Sequence, residues 1–291
     1  MSGYLEHFGL TKKPFSTSPD PEFAYATKEH QLAIAKIQYS VEEQQGVVLL
    51  QGAPGTGKTT ISQFMMNHWR TDPSMAVAHI TNPAVRTPAQ FLRLILNHYG
   101  MSAPPRLLQD CWDVLRAMLI SNHAEGKTTV IILDEAQTIS AENFQTLTHI
   151  TNEQTQKTKL VQIVLLAQLN IDYRLASKPA LRDRIAHGST LNPLGNEDAV
   201  AMLRHRVTIA GGDFDALFPG AMPKLIYNAT GGIPRRLCML CDNILLNAFA
   251  LGKQATDEED LQDALRDLAF KKWDETKSKS SKDSKKVTKK K

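Results

Sequence analysis

Residues 47–60 read VVLLQGAPGTGKTT, and within them residues 52–59, GAPGTGKT, match G-x-x-x-x-G-K-[ST] in full. VVLLQ reads as a buried strand, and TTISQFMMNHWR continues from the loop as a helix. The strand–loop–helix setting is the one this motif requires to cradle an anion. Its glycines, Gly52, Gly55 and Gly57, together with Ala53, Pro54 and Thr56, allow a tight loop whose backbone N–H groups turn toward phosphate oxygens. The helix that follows offers its positive end to the same anion. Lys58 is placed to reach the β- and γ-phosphates, Thr59 to set its hydroxyl on Mg²⁺, and Thr60 to touch the α-phosphate.

Working outward, a second strand carries the complementary chemistry. VIILDEAQ at 130–137 delivers Asp134 and Glu135 to a strand's C-terminal edge, where open α/β sheets hold their ligands. Asp134 is suited to bind Mg²⁺ and Glu135 to polarise an attacking water. A strand and helices lie between the two motifs, a separation that permits another strand to sit between the motif strands.

Further strands are expected at 75–81, 160–169 and briefly around Leu191, with the motif strands at 47–51 and 128–136. Helices are expected from about residue 28, over 87–99, 107–122 and 140–153. Thr87 followed by Pro88 reads as a helix cap and first turn. In the first of these helices Leu32, Ile34, Ala35, Ile37 and Tyr39 are read as the buried side. Alternating strands and helices up to residue 192 define an α/β fold with a mainly parallel sheet covered on both faces. From Asn196 only helices follow, over about 196–210, 219–229, 234–251 and 257–270, which suits a small all-helical lid.

The expected organisation is therefore an N-terminal arm over 1–27 packing near the nucleotide site, an ATPase core over 28–194, a lid over 195–270 and a disordered lysine-rich tail over 271–291. In the arm, Pro14, Pro19 and Pro21 oppose a long helix, and Tyr4, Phe8, Phe15, Phe23 and Tyr25 can anchor it. The formal net charge is +4, unevenly placed: residues 271–291 hold ten lysines against three acids, and the rest carry a net −3. The body is thus not a strongly basic surface, although the tail can attract phosphates nonspecifically or simply keep the chain soluble. Cys111, Cys238 and Cys241 offer no disulfide framework, and Cys238 and Cys241 lie in an apolar helical run that suits a core. No signal-peptide pattern and no long apolar run is present, and a cytoplasmic location without a membrane partner is the expectation.

The opening YLEHFGLTKKPFSTSPDPEFAY, the loop GAPGTGKT, the strand LDEAQ, the segment LRDRIAH and the late GGIPRRL together resemble the AAA+ ATPases of the transposition-regulator and general-secretion group. The resemblance covers roughly residues 4–268. It implies an AAA+ P-loop fold, Mg²⁺ and ATP as ligands, and subunits that assemble side by side, each site completed by a neighbour. An arginine of LRDRIAH would then reach the adjacent γ-phosphate, with Arg184 matching better and Arg182 as the alternative; a guanidinium neutralises charge on the transferred group. Arg235 resembles the residue that closes the lid over nucleotide, with Arg236 as the alternative. Gln168, after the fourth strand, falls where a further nucleotide-sensing residue is expected, and Phe15 and Tyr25 are placed to frame adenine.

Secretion-type members often carry a membrane span and a wall-binding part after the ATPase. This chain ends soon after the lid, which resembles instead the regulators that form ATP-dependent rings or filaments around duplex DNA and link a target-recognition factor to a transposase. On that reading the DNA contacts fall on loops, at Arg86 in one segment and at Thr155, Lys157, Thr158 and Lys159 in another, through the phosphate backbone rather than the bases. Each segment reads equally as an ordinary solvated loop. A helicase loader or a secretion-assembly ATPase would share the same nucleotide chemistry.

Overall fold

The computed structural model describes residues 2–18, 20–101 and 106–268; the lysine-rich tail lies outside them. Along the chain, α1 (Ser2–His7) is followed by α2 (Lys28–Glu42), β1 (Val47–Gly52), α3 (Lys58–Arg70), β2 (Met75–Ile80), α4 (Pro88–His98), α5 (Leu108–Ala124) and β3 (Thr128–Leu133). A 3-10 turn at Ala136–Thr138 leads to α6 (Ala141–Ile150), β4 (Val161–Ala167), α7 (Ile171–Ala176), α8 (Pro179–Arg182) and β5 (Ile185–Leu191). The remaining elements are α9 (Asn196–Ile209), α10 (Phe214–Leu217), α11 (Met222–Thr230), α12 (Pro234–Ala250) and α13 (Glu258–Asp267).

Contacts divide the chain into two units, Ala26–Asn192 and a second made of the residues up to Tyr25 together with those from Pro193 onward. The first unit holds a five-stranded sheet in the order β2-β3-β4-β1-β5, with every pairing parallel. β4 therefore sits between the glycine-loop strand β1 and the Asp134 strand β3, the inserted-strand arrangement that the spacing of the motifs permits. Parallel strands need crossovers, and the helices between them cover both faces. On one face Leu49, Ile131, Leu133, Ile163 and Leu165 pack with Phe91, Leu115 and Phe144. On the other Val48, Leu50, Val130, Ile132 and Leu166 pack with Ile37, Ile61, Met65 and Trp69. Successive residues of β1, β3 and β4 thus alternate between two cores, and for this reason these strands read as continuous apolar runs.

Local signals hold where they have a mechanism. Thr27 caps α2, its hydroxyl accepting from His30 N. Thr87 and Gln90 form a reciprocal capping box with Pro88 in the first turn. The buried side of α2 differs from expectation. Ala33, Ile37, Ser40 and Val41 face the core, whereas Leu32, Ala35 and Tyr39 are exposed. Residues 33, 37, 40 and 41 lie on one stripe of a 3.6-residue helix, and residues 32, 35 and 39 make an apolar stripe of their own that the composition alone does not separate from it.

Several ends also move inward. β3 stops at Leu133 because Glu135 turns the chain with φ 52°, and β4 stops at Ala167. The helix expected over 219–229 starts at Met222, with the separate short α10 preceding it, and α7 and α8 occupy a stretch for which no helix was expected.

In the second unit, Phe8, Phe15 and Phe23 are buried with Leu203, Phe218 and Leu240, while Tyr4 and Tyr25 pack partly buried against the same core. Phe15 is 1% exposed and meets the Phe218 ring edge-on, so it is a core anchor and has no free face to offer adenine. Cys238 and Cys241 are free and buried in α12, and burial pushes both thiols up. Among the described residues no group of His, Cys, Asp and Glu is arranged to hold a metal by itself, and no helix is long and apolar enough to cross a membrane.

Candidate active site

β1 ends in the loop that the motif requires. Gly52 must be glycine because an added Cβ would lie 2.7 Å from Leu191 O and 2.8 Å from Thr56 Oγ1. Thr56 is fully buried and its hydroxyl donates to Ala53 O at 2.9 Å, closing the loop on itself. Gly57, with φ 102°, precedes α3 and gives it no side-chain cap, so the first-turn N–H groups of that 13-residue helix are left for an anion. Pro54 is exposed at the tip, and Thr59 and Thr60 are exposed on the first turn.

Lys58 is 5% exposed and its ammonium donates to Gly52 O at 2.9 Å and Ala53 O at 3.0 Å. Burial lowers its pKa, and the carboxylates of Glu135 and Asp134 act in the opposite direction. Both acids are therefore electrostatic neighbours of the loop lysine. A three-donor ammonium held by neutral carbonyls can exchange these acceptors for phosphate oxygens.

Asp134 is 2% exposed, its N–H bonded to Ile80 O at 2.9 Å, and its Oδ1 accepts from Glu135 N at 2.9 Å. Glu135 takes the left-handed backbone that a non-glycine residue seldom adopts, a local cost of about 1–3 kcal/mol that the surrounding contacts must hold in place. The turn aims its carboxylate at the end of β4. There Glu135 Oε2 accepts from Gln168 Nε2 at 3.2 Å and from Gln137 Nε2, while Gln137 Oε1 accepts from Gln168 N at 3.0 Å. Gln168 thus stands beside Glu135, with its amide directed at that carboxylate. Both amide bonds fall on one oxygen, and Oε1 remains for a water.

Two residues here escaped sequence reasoning. Gln137 ties the ends of β3 and β4 together, and its only sequence signal is its place two residues after Glu135. Arg174 on α7 donates to Gln137 O and Ile139 O, with its guanidinium 5.2 Å from the centre of the Phe144 ring. It clamps the turn that carries Glu135, and no motif announces it. His79 on β2 is a further unforeseen neighbour: burial lowers its pKa against the opposing field of Asp134, and its Nε2 is buried without a partner.

The other expected residues are dispersed. Arg184 donates to Ala180 O at 2.6 Å and to Asn152 Oδ1, whereas Arg182 at the end of α8 is exposed. Arg235 is exposed in the first turn of α12, in the second unit, and Arg236 is partly buried with an interaction of its own.

The two expected DNA segments do not share a surface of the sheet unit. Arg86 follows the C-terminal end of β2, on the edge that bears the glycine loop. Thr155–Lys159 precedes the N-terminal end of β4, on the opposite edge, in a tight turn closed by the Gln154–Lys159 bridge. The hydroxyls of Thr155 and Thr158 bond each other at 2.8 Å, and Lys159 Nζ donates to Gln45 O at 2.5 Å. Lys159 is therefore engaged in the fold, and Lys157 alone of the two lysines is exposed at the tip.

A parallel sheet in which β4 is inserted between β1, which leads into the glycine loop, and β3, which leads into the Asp–Glu pair, defines a P-loop protein of the AAA+ fold. A family model described as an AAA domain matches residues 41–175. General secretion pathway protein A of Aeromonas hydrophila is 36% identical over 256 residues, 86% of this chain and 45% of that protein, so the chain spans less than half the length of this relative. Among solved structures, the Aeropyrum pernix ORC2 protein in ADPNP and ADP complexes superposes with a TM-score of 0.64 at 19% identity, covering 88% of this chain and 71% of that one. Drosophila ORC bound to DNA superposes with a TM-score of 0.69 at 15% identity, covering 92% and 66%. At these identities the structural likeness shows the fold.

Proposed function

We propose that the chain is an Mg²⁺-dependent ATPase whose nucleotide state controls its assembly on duplex DNA, in the regulation of transposition. The observation that carries the ATPase reading is Glu135, held in a left-handed turn with one carboxylate oxygen free, in the electrostatic neighbourhood of Lys58. The donor set fits a triphosphate. The loop from Gly52 to Gly57 and the open first turn of α3 supply N–H groups, Lys58 supplies a cation, and Thr59 and Asp134 supply hard oxygen ligands for Mg²⁺. Bound Mg²⁺ offsets charge on the phosphate oxygens. Glu135 orients and deprotonates the water through Oε1, with Gln168 and Gln137 fixing its other oxygen. A neighbouring subunit supplies Arg184 or Arg182 to the γ-phosphate. Arg184 must first leave Ala180 and Asn152, whereas exposed Arg182 needs no release. The resemblance assigns nucleotide sensing to Arg235.

The transposition reading is supported by the resemblance of residues 4–25 and of the later motifs to that group of regulators. It makes a transposase and a target-recognition factor the protein partners. The 36% identity to a general secretion pathway protein favours a second reading, an ATPase of secretion assembly, with the same site chemistry. Electron microscopy with duplex DNA and either a non-hydrolysable ATP analogue or ADP separates them. A ring or helix enclosing DNA only with the analogue is expected; protein that ignores DNA in both states refutes the transposition reading. The ATPase reading is tested apart from this by Glu135→Gln, which should bind Mg-ATP and lose turnover by about a hundredfold or more; wild-type turnover would remove Glu135 from its role.

A further inference from the structure

We infer that His30 is a positioning residue for the phosphate loop, an assignment that rests on the nucleotide-binding reading above. His30 lies in the first turn of α2 and is 9% exposed. Its Nε2 is 3.1 Å from Thr56 O, and its Nδ1 is 2.7 Å from Thr27 Oγ1. The partners decide the proton positions. A carbonyl only accepts, so Nε2 carries the hydrogen and donates to Thr56; in the neutral ring Nδ1 then accepts from the Thr27 hydroxyl. The same hydroxyl accepts from His30 N, so cap, ring and loop form one chain of bonds from α2 to the glycine loop.

The bond falls where direction matters most. The Thr56–Gly57 peptide is planar and trans, so its C=O and N–H point opposite ways. Holding Thr56 O toward His30 fixes the Gly57 N–H away from α2, on the side of the loop facing away from the ring. Thr56 is pinned a second time by its hydroxyl on Ala53 O. Gly57 also permits the approach of the ring, because an added Cβ would lie 2.9 Å from His30 Nε2. Loop conformation is thus set from outside the motif, by an imidazole on α2. An N–H already aimed at the phosphate costs no reorganisation on binding, and affinity rises for that reason.

The test compares His30→Phe, which keeps the ring volume and removes both nitrogens, with His30→Gln, whose amide can still donate to Thr56 O. Binding of N-methylanthraniloyl-ADP with Mg²⁺ to the full chain is measured beside nucleotide-free thermal unfolding. His30→Phe should weaken binding by about tenfold or more, and His30→Gln should recover it to within about threefold, at similar unfolding midpoints. Wild-type affinity in His30→Phe, or equal losses in the two variants, overturns the assignment. Should His30→Phe fail to fold, the ¹⁵N ring spectrum of wild-type His30 decides: a proton on Nε2 supports the assignment, and one on Nδ1 alone overturns it. A wild-type protein that binds no nucleotide, matching Lys58→Ala, overturns the nucleotide reading itself and this inference with it.

Discussion

Replacing Gly232 by alanine tests how the helical unit is built. Gly232 has φ 73°, and a Cβ there would lie 2.1 Å from Leu194 O, 3.1 Å from Leu194 C and 3.1 Å from Tyr227 Cε2. The blocking atom is backbone, so no rotamer change relieves it. Gly232 O also accepts from Leu194 N at 2.8 Å, which locks the two segments at this distance. Three costs add. Left-handed backbone costs an alanine about 1–2 kcal/mol. Overpacking against fixed neighbours costs about 1–3 kcal/mol. Separating the strands of chain weakens one backbone hydrogen bond, about 1 kcal/mol. The expected destabilisation is about 3–6 kcal/mol, a large part of a typical domain's stability. Gly252 supplies the control in the same unit: its φ is 69° and nothing lies within 4 Å of an added Cβ. Gly252→Ala should therefore show the backbone cost alone, about 1–2 kcal/mol. Urea unfolding followed by circular dichroism gives the totals, and amide exchange in α11 and α12 shows whether the loss is local. If the two variants agree within about 0.5 kcal/mol, the close approach of Leu194 is not a constraint and the reasoning fails.

Further outcomes follow from single contacts. Lys159→Met should lower stability by about 1 kcal/mol through loss of its bond to Gln45 O, while Lys157→Met leaves stability unchanged; a DNA-affinity loss in the first without a stability loss would return Lys159 to the interface. Arg174→Met keeps an apolar stem on the Phe144 ring and releases the Gln137 and Ile139 carbonyls. Turnover should fall about ten- to a hundredfold with nucleotide affinity nearly unchanged, and equal losses in both would refute a role confined to the Glu135 turn. Burial raises the Asp242 pKa above its ordinary 3.8, with Lys13 opposing. The folded state then binds this proton more readily than the unfolded chain. The penalty is absent below the unfolded value and complete above the folded one. Asp242→Asn should accordingly stabilise the protein at neutral pH and lose that advantage as pH falls toward 3.8, as read from thermal unfolding against pH.

What the sequence discloses here follows the range of the forces involved. The glycine loop, the helix cap at Thr87 and the Asp134–Glu135 strand end are legible because each acts through neighbours a few residues away. The inserted position of β4 is suggested by the spacing and settled only by strand pairing, since parallel order depends on crossovers. The apolar stripe of Leu32 and Tyr39 on α2 was misread for a related reason: which of two apolar sides is buried depends on what packs against the helix, and the helix's own residues do not say. Lys159 looks like a phosphate contact until Gln45, 114 residues earlier, claims its ammonium.

The same division runs through the candidate site and explains its unread members. His30 lies 26 residues from the carbonyl it holds, and Arg174 lies 37 and 35 residues from the two it holds. Each supports a motif residue by grasping backbone, a contact that any donor of the right reach can make, and therefore neither leaves a pattern of residue types in the sequence. Residues that touch phosphate must be particular residues at particular spacings, because the ligand's geometry does not change. Residues that orient them need only arrive at the right place, and the fold supplies the place. The strained Glu135 turn joins the two kinds. Its identity is written in LDEAQ, but its left-handed turn is held by tertiary contacts: Gln168, just after β4, bonds its carboxylate beside Gln137 of the turn itself, and Arg174 of α7 holds the Gln137 and Ile139 carbonyls that follow. The Glu135 carboxylate is thus read from sequence, and its aim is read only from the packing of strand ends around it.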